Sequence, residues 1–202
     1  MIESCRILEP GDCSMAQADI YRRTLAESLK ELLERESIEK ITVDEICEKA
    51  EISRRSFYRY FIDKYDVVSW IVDREYFNHI EMEENLSLWD FYPSFLQYLY
   101  DNRTWIRNAL PYQGQNSLGE HLFRRTYPLI CNDFNEKFPS DYWEEFAVRT
   151  YFKMALESYE WWLGEKDPLS PEEMEQLTFS VIQPLTSNVA HSFQKYYDHQ
   201  KA

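Results

Sequence analysis

The stretch from Thr42 to Lys64 restricts the fold more than any other, because three helix starts crowd into it. Thr42 precedes Val43 and Asp44, with Glu45 three positions on, so its hydroxyl can accept from the Glu45 amide while that carboxylate reaches back. Val43, Ile46 and Cys47 then recur at helical spacing, and the pattern stops at Ala50-Glu51-Ile52. Ser53 is a second N-cap. A helix of about eight residues from there puts Phe57 and Phe61 on one face at i, i+4. Arg55 and Arg59 fall on the opposite face, flanked by Arg54 and Tyr58. Asp63 with Asp66 caps a further helix that begins at Lys64. Helices this short, joined by turns this tight, are forced to cross.

Two aromatic anchors holding down a helix that turns three arginines outward suit a partner with phosphates and base edges. Arginine pairs bidentately with both guanine and phosphate. The run resembles the helix-turn-helix of TetR-family transcriptional regulators, matching its pattern at Thr42, Ile46, Ala50, Ser53, Phe57, Tyr58, Tyr60, Phe61 and Lys64. Residues 25–42 and 64–76 resemble more narrowly the subgroup that regulates dihydroxyacetone kinase operons. The chain departs from the family at Glu51, where glycine is usual and serves a left-handed turn. The resemblance implies an all-α fold, with an N-terminal helix-turn-helix head joined by a fourth helix to a C-terminal helical bundle. It also implies a homodimer formed through the last two helices. The expected divisions are a flexible arm over 1–16, a DNA-binding domain over 17–78, and a ligand-binding and dimerisation domain over 79–202.

Charge opposes this reading at first sight, since the 202 residues carry a net −14 and should repel a polyanion. The distribution answers part of the objection. From Lys49 to Lys64 five basic residues (Lys49, Arg54, Arg55, Arg59, Lys64) face two acids (Glu51, Asp63), giving 5 − 2 = +3 and leaving −17 elsewhere. DNA binding would depend on a local patch working against the overall field, and salt would weaken it.

The four cysteines, Cys5, Cys13, Cys47 and Cys131, form no CxxC pair and have no zinc spacing. They read as free thiols of a reducing, cytoplasmic setting. Residues 1–16 read as neither a secretory signal nor an anchor, and no apolar run approaches the ~18 residues that span a bilayer. No membrane association is expected.

In chain order, Pro10-Gly11 reads as a turn within the arm. The first helix, after Ala16, carries Tyr21, Leu25, Leu29, Leu32 and Leu33 on one face to roof the two short helices. The fourth is expected from Lys64 to about His79, with Val67, Val68, Ile71, Val72 and Tyr76 available for packing. Helices then follow over 88–102 and 104–110, a loop over 111–115, and a helix over 116–138 that Pro128 bends or breaks. Asp141 opens a long helix that Gly164 ends. Ser170-Pro171-Glu172-Glu173 starts the last, with Leu177, Val181, Leu185, Val189 and Phe193 at four-residue steps and a kink at Pro184.

By position, Arg54 and Arg55 are candidates for base edges, with Arg59 on the same basic face. Thr42, Ser53, Tyr58, Tyr60 and Lys64 suit phosphates. Twenty of the chain's thirty-three Phe, Tyr and Trp fall in 86–165, and such a bundle can either pack as core or line a pocket for a flat or apolar effector. Trp105, Tyr112, His121, Trp143, Tyr151 and Trp161 are the candidate lining residues, and a partner protein is an alternative effector. His121 has no metal-ligand partner at helical spacing, and neither a metal nor a cofactor is expected. The four glycines build no phosphate loop, no HExxH occurs, and no enzyme activity is expected. The reading that remains beside a regulator is an all-helical ligand-binding or protein-interaction dimer that has lost specific DNA binding, favoured by Glu51 and the acidic balance.

Overall fold

The computed structural model describes residues 10–80, 87–134 and 141–181, whose regular structure is all helical, with no strand among them. Helix α1 spans Pro10–Leu33, α2 Val43–Lys49, α3 Arg54–Tyr60 and α4 Lys64–Glu75. A 3-10 turn over Phe77–His79 ends this half of the molecule. Helices α5 (Leu88–Asp101), α6 (Arg103–Ala109), α7 (Leu118–Phe134) and α8 (Asp141–Gly164) follow, and α9 covers residues 171–181.

Helices α2 and α3 have seven residues each, too few to persist alone in water. Burial holds them in place. Leu25, Leu29 and Leu33 of α1 are fully buried, as are Ile46 of α2, Phe57 of α3 and Val67 of α4, and α1 packs on all three helices. Phe61 closes the group from the C-cap of α3. α1 is described from Pro10, so residues 10–16, expected within the arm, are helical, while residues 1–9 lie outside the described residues.

α4 stops at Glu75, short of the expected His79. Tyr76 leaves helical geometry (φ −127, ψ −68) and carries its ring into the body, against Phe77, Phe91, Phe95 and Tyr98. Its phenol lies 2.7 Å from the Ser94 hydroxyl and donates to the Phe91 carbonyl at 3.4 Å, and burial pushes its pKa up to about 12. Packing of one aromatic thus overrides the helix that four preceding apolar positions would continue.

The body departs little from expectation. α7 begins at Leu118 and not Asn116, because Ser117 caps it by accepting from the Glu120 amide at 3.2 Å, while Asn116 takes a left-handed backbone (φ 59). The helix continues through Pro128, and its expected end at Phe138 lies outside the described residues. Ser170 and Glu173 form the expected capping box at 2.8 and 3.2 Å. Leu185, Val189, Phe193 and Pro184 lie outside the described residues.

Polar ties cross the junction between the two halves. Lys30 reaches Glu75 at 2.8 Å and Asn102 at 3.3 Å, and the Tyr98 phenol donates to the other Glu75 oxygen at 3.2 Å. Asp73 of α4 faces His121 at 3.0 Å and Arg125 at 3.1 Å on α7, and Asn116 donates to Asp63 at 2.9 Å. Tyr65 stacks on Tyr112 with centroids 4.1 Å apart. α4 is therefore fastened at its start, middle and end.

Candidate nucleic-acid interface

The interface is built from its caps upward. Thr42 and Glu45 form a complete capping box: the Thr42 amide donates to the carboxylate at 2.7 Å, and the Glu45 amide to the Thr42 hydroxyl at 3.2 Å. These hydrogen bonds hold the Glu45 pKa below its ordinary value, the one from the Thr42 side chain foremost. Ser53 accepts from the Ser56 amide at 3.1 Å and starts α3.

Between the two helices, Glu51 stands at φ 54 in the left-handed region. The Ile52 amide donates back to the Cys47 carbonyl at 3.0 Å and the Glu51 amide to Glu48 at 3.2 Å, the pair of bonds of a Schellman cap. The turn therefore has the geometry that a glycine would supply, built with a glutamate.

With Phe57 buried beneath it, α3 turns Arg54, Arg55, Tyr58 and Arg59 to solvent. Arg55 and Arg59, one helical turn apart, have no carboxylate partner among the described residues, and the Arg59 guanidinium lies 5.9 Å from the Tyr60 ring centre. Arg54 is different. Its Nη1 donates to both oxygens of Asp44 at 2.8 Å, and its guanidinium sits 5.6 Å from the Tyr58 ring centre. Tyr60 is half-buried and stacks on Tyr21 of α1 at 5.6 Å.

Lys64, placed by sequence at a phosphate, turns inward. Its ammonium donates to the carbonyls of Ile41 at 2.6 Å and Glu39 at 3.1 Å, and burial lowers its pKa. It pins the loop ahead of α2 and so positions the Thr42 cap. Lys49 is held by Glu31 at 2.5 Å. Of the five basic residues counted from the sequence, Arg55 and Arg59 are the two that no acid or carbonyl occupies among the described residues. Asp44 was missed as a site residue because it lies ten positions from Arg54 and meets it only when α2 and α3 cross.

The five candidate lining residues whose side chains are described do not converge. Trp105 is buried at the junction, donating to Asn102 at 3.0 Å beneath the Lys30 ammonium. Tyr112 stacks on Tyr65, and His121 belongs to the Asp73 contact. Trp161 is 53% exposed on the outside of α8, and the Trp143 side chain lies outside the described residues. Tyr151 alone reaches the centre of the aromatic body, beside Phe95, Phe152 and Tyr159, where the free space is ≈ 20 Å³. That is room for about one water. Around Tyr151 the rings meet one another and pack as core, while His121 lines a separate cavity of ≈ 210 Å³ with Trp70, Asp73 and Arg124. Trp161 shares the outer face of α8 with Phe146 and Met154, and Val181 of α9 lies beside them.

No described helix is long and apolar enough to cross a membrane, and no group of three His, Cys, Asp or Glu among the described residues is placed to hold a metal.

Comparison with known proteins agrees with this geometry. Residues 27–69 match the family model "Bacterial regulatory proteins, tetR family", and residues 88–184 match "Transcriptional regulator C-terminal region" of the same family. A curated relative, the HTH-type dhaKLM operon transcriptional activator DhaS of Lactococcus lactis, is 29% identical over 63 residues, 31% of this chain and 34% of that protein. The match thus spans about a third of that relative's length. A solved structure of a dihydroxyacetone kinase operon activator DhaS superposes with a TM-score of 0.55 at 18% identity, over 84% of this chain and 96% of that one. A TetR transcriptional regulator from Streptococcus agalactiae superposes with a TM-score of 0.60 at 16% identity, over 84% and 97% of the two chains. At these identities the superpositions speak for the fold.

Proposed function

The chain belongs to the TetR family of bacterial regulatory proteins, and on that premise we propose which residues make it a regulator and how it is switched. It is a DNA-binding transcriptional regulator and not an enzyme. The reading head ends near residue 78 and the regulatory body begins at 79. Two copies dock through α8 and the last helix, which brings two α3 helices into successive major grooves of a pseudo-palindromic operator, ~34 Å apart or slightly more. The outward row of Phe146, Met154, Trp161 and Val181 supports this pairing, since such an apolar face is otherwise left to water. The protein works in the cytoplasm, where its operator is.

Arg55 meets a base edge, Arg54 a second one, and Arg59 the same groove, while Thr42, Ser53, Tyr58 and Tyr60 line the phosphates. Lys64 acts from beneath, by holding the loop that carries Thr42. One observation carries this assignment: Arg55 and Arg59 have no acidic partner among the described residues and stand on the outer face of a helix that Phe57 and Ser53 lock in place.

The body passes the state of an effector, a small molecule or a partner protein, to the head through α4. Asp63, Asp73 and Glu75 each tie that helix to the body, so a shift of the body is transmitted and not absorbed. Coupling of about 1–3 kcal/mol between effector and operator is the ordinary range. The test is binding of the DNA flanking the protein's own gene at low salt. Arg55→Ala is expected to lose about 1–3 kcal/mol of affinity for the preferred sequence and to relax the choice at one base pair. Equal weakening on every sequence would reassign Arg55 to phosphate, and no retention by the wild type would defeat the reading.

A further inference from the structure

Asp44 stands at the second position of α2, 67% exposed at its side chain, on the face that carries the recognition arginines. An acid in a first helical turn is favoured by the helix dipole, but that role places no demand on its partner and is already served by Glu45. What the dipole leaves unexplained is the chelate with Arg54, in which one nitrogen of the guanidinium points at both carboxylate oxygens at equal distances of 2.8 Å. Exposed ion pairs of this kind contribute little to folding. Their geometric effect is larger.

We propose that Asp44 is a positioning residue for sequence reading: it holds Arg54 across the gap between α2 and α3 in the orientation that meets a base. The proposal rests on the reading that Arg54 contacts a base edge. Donor arithmetic makes it workable. A guanidinium has five N–H groups. The two on Nη1 face Asp44, and the long 3.4 Å contact from Nη2 to the Tyr58 hydroxyl is the only other hydrogen bond the side chain makes among the described residues. Nε and Nη2 thus stay available as an edge of two donors, which is what guanine O6 and N7 accept. The Tyr58 ring beneath the guanidinium limits rotation out of that plane. Arg54 is therefore ordered before DNA arrives, which removes part of the entropy lost on binding. The pairing also neutralises a carboxylate that would otherwise face phosphates.

The test uses the full-length protein and a pool of duplexes randomised over an operator-length window. Sequences retained by the wild type are selected, and the best is compared by fluorescence anisotropy with all its single-base variants. The proteins are wild type, Asp44→Asn, Asp44→Ala, Arg54→Ala and the double variant Asp44→Asn/Arg54→Ala. Asp44→Asn and Asp44→Ala are expected to lower discrimination about three- to tenfold at one base pair, as for freeing one long side chain. That base pair is the one flattened by Arg54→Ala, and the double variant loses nothing more. If Asp44→Asn tightens binding to every duplex with preferences unchanged, Asp44 is only a negative charge on the face and the proposal is overturned. Arg54→Ala flattening a base pair that both Asp44 variants leave intact overturns the proposal alone. Arg54→Ala weakening all duplexes equally overturns the base-reading assignment beneath it as well. Melting temperatures matching wild type exclude misfolding, as expected for a side chain as exposed as Asp44.

Discussion

Replacing Glu51 with glycine isolates the energetic consequence of building the recognition turn with the wrong residue. At φ 54 a side chain crowds its own following carbonyl, an arrangement that costs about 1–2 kcal/mol for a residue with a Cβ. Glycine removes that cost but loses about 0.5–1 kcal/mol more conformational entropy on folding. The expected net gain is about 0.5–1 kcal/mol, or ~1–4 °C in melting temperature for a domain of this size. The bonds that define the turn, Ile52 to Cys47 at 3.0 Å and Glu51 to Glu48 at 3.2 Å, are made by the backbone and survive the change.

Binding changes by a separate route. A carboxylate ~10 Å from a phosphate is repelled by about 0.4 kcal/mol in water, so its loss should tighten DNA binding about twofold at low salt and fade above ~0.1 M. Two further variants separate the effects. Glu51→Gln removes the charge and keeps the Cβ, so it should bind like the glycine variant and melt like the wild type. Glu51→Val should melt below both, because branching at Cβ worsens the crowding. Urea denaturation and anisotropy titrations against salt measure the two quantities. Equal stability of the glycine, glutamine and valine variants would refute the claim that this turn stores strain.

Thr42→Ala should cost about 1 kcal/mol through the lost cap, and the deficit should depend on pH. The Glu45 carboxylate is held below its ordinary 4.5, so its share of the capping box is complete above pH 4.5 and is lost as pH falls through the lowered value, while the Glu45 amide's bond to the Thr42 hydroxyl persists. The gap in melting temperature between wild type and variant should therefore narrow below pH 4.5, and a gap that stays constant would remove the carboxylate from the account. At Gly114, an added Cβ would collide with the Tyr112 hydroxyl, so Gly114→Ala must displace that ring from its stack on Tyr65. About 0.5–1.5 kcal/mol of stability should go with it, and a Tyr112→Ala background should erase the effect. Tyr98→Phe deletes a hydrogen bond to the Glu75 carboxylate at the junction and should cost about 1.5–3 kcal/mol. Calorimetry showing no loss would mean that water replaces the phenol there.

Local chemistry made much of this molecule legible in its residues. Four helix starts were readable because donor and acceptor lie within three positions, Thr42 with Glu45, Ser53 with Ser56, Asp63 with Asp66 and Ser170 with Glu173, whereas the equally local Ser117–Glu120 cap was placed one residue early at Asn116. That glycine is usual at the position of Glu51 was legible through the family resemblance, but that a glutamate takes the left-handed backbone there was settled only by the structure. Phe57 and Phe61 announced the buried side of α3 by their spacing alone. Such features hinge on a few neighbouring residues, whose separations the backbone dictates.

Only the tertiary structure decided where the long side chains went. Lys64 chose two carbonyls over solvent, Arg54 chose an acid on the preceding helix, and Tyr76 ended α4 to enter the aromatic body. Trp105 and Trp161, alike in sequence, came to rest at a buried junction and on an outer surface. A lysine, arginine or aromatic ring reaches partners far away along the chain, and which one it meets depends on how helices cross. Helical periodicity assigns a residue to a face, but the neighbour opposite that face is supplied by the packing of the whole.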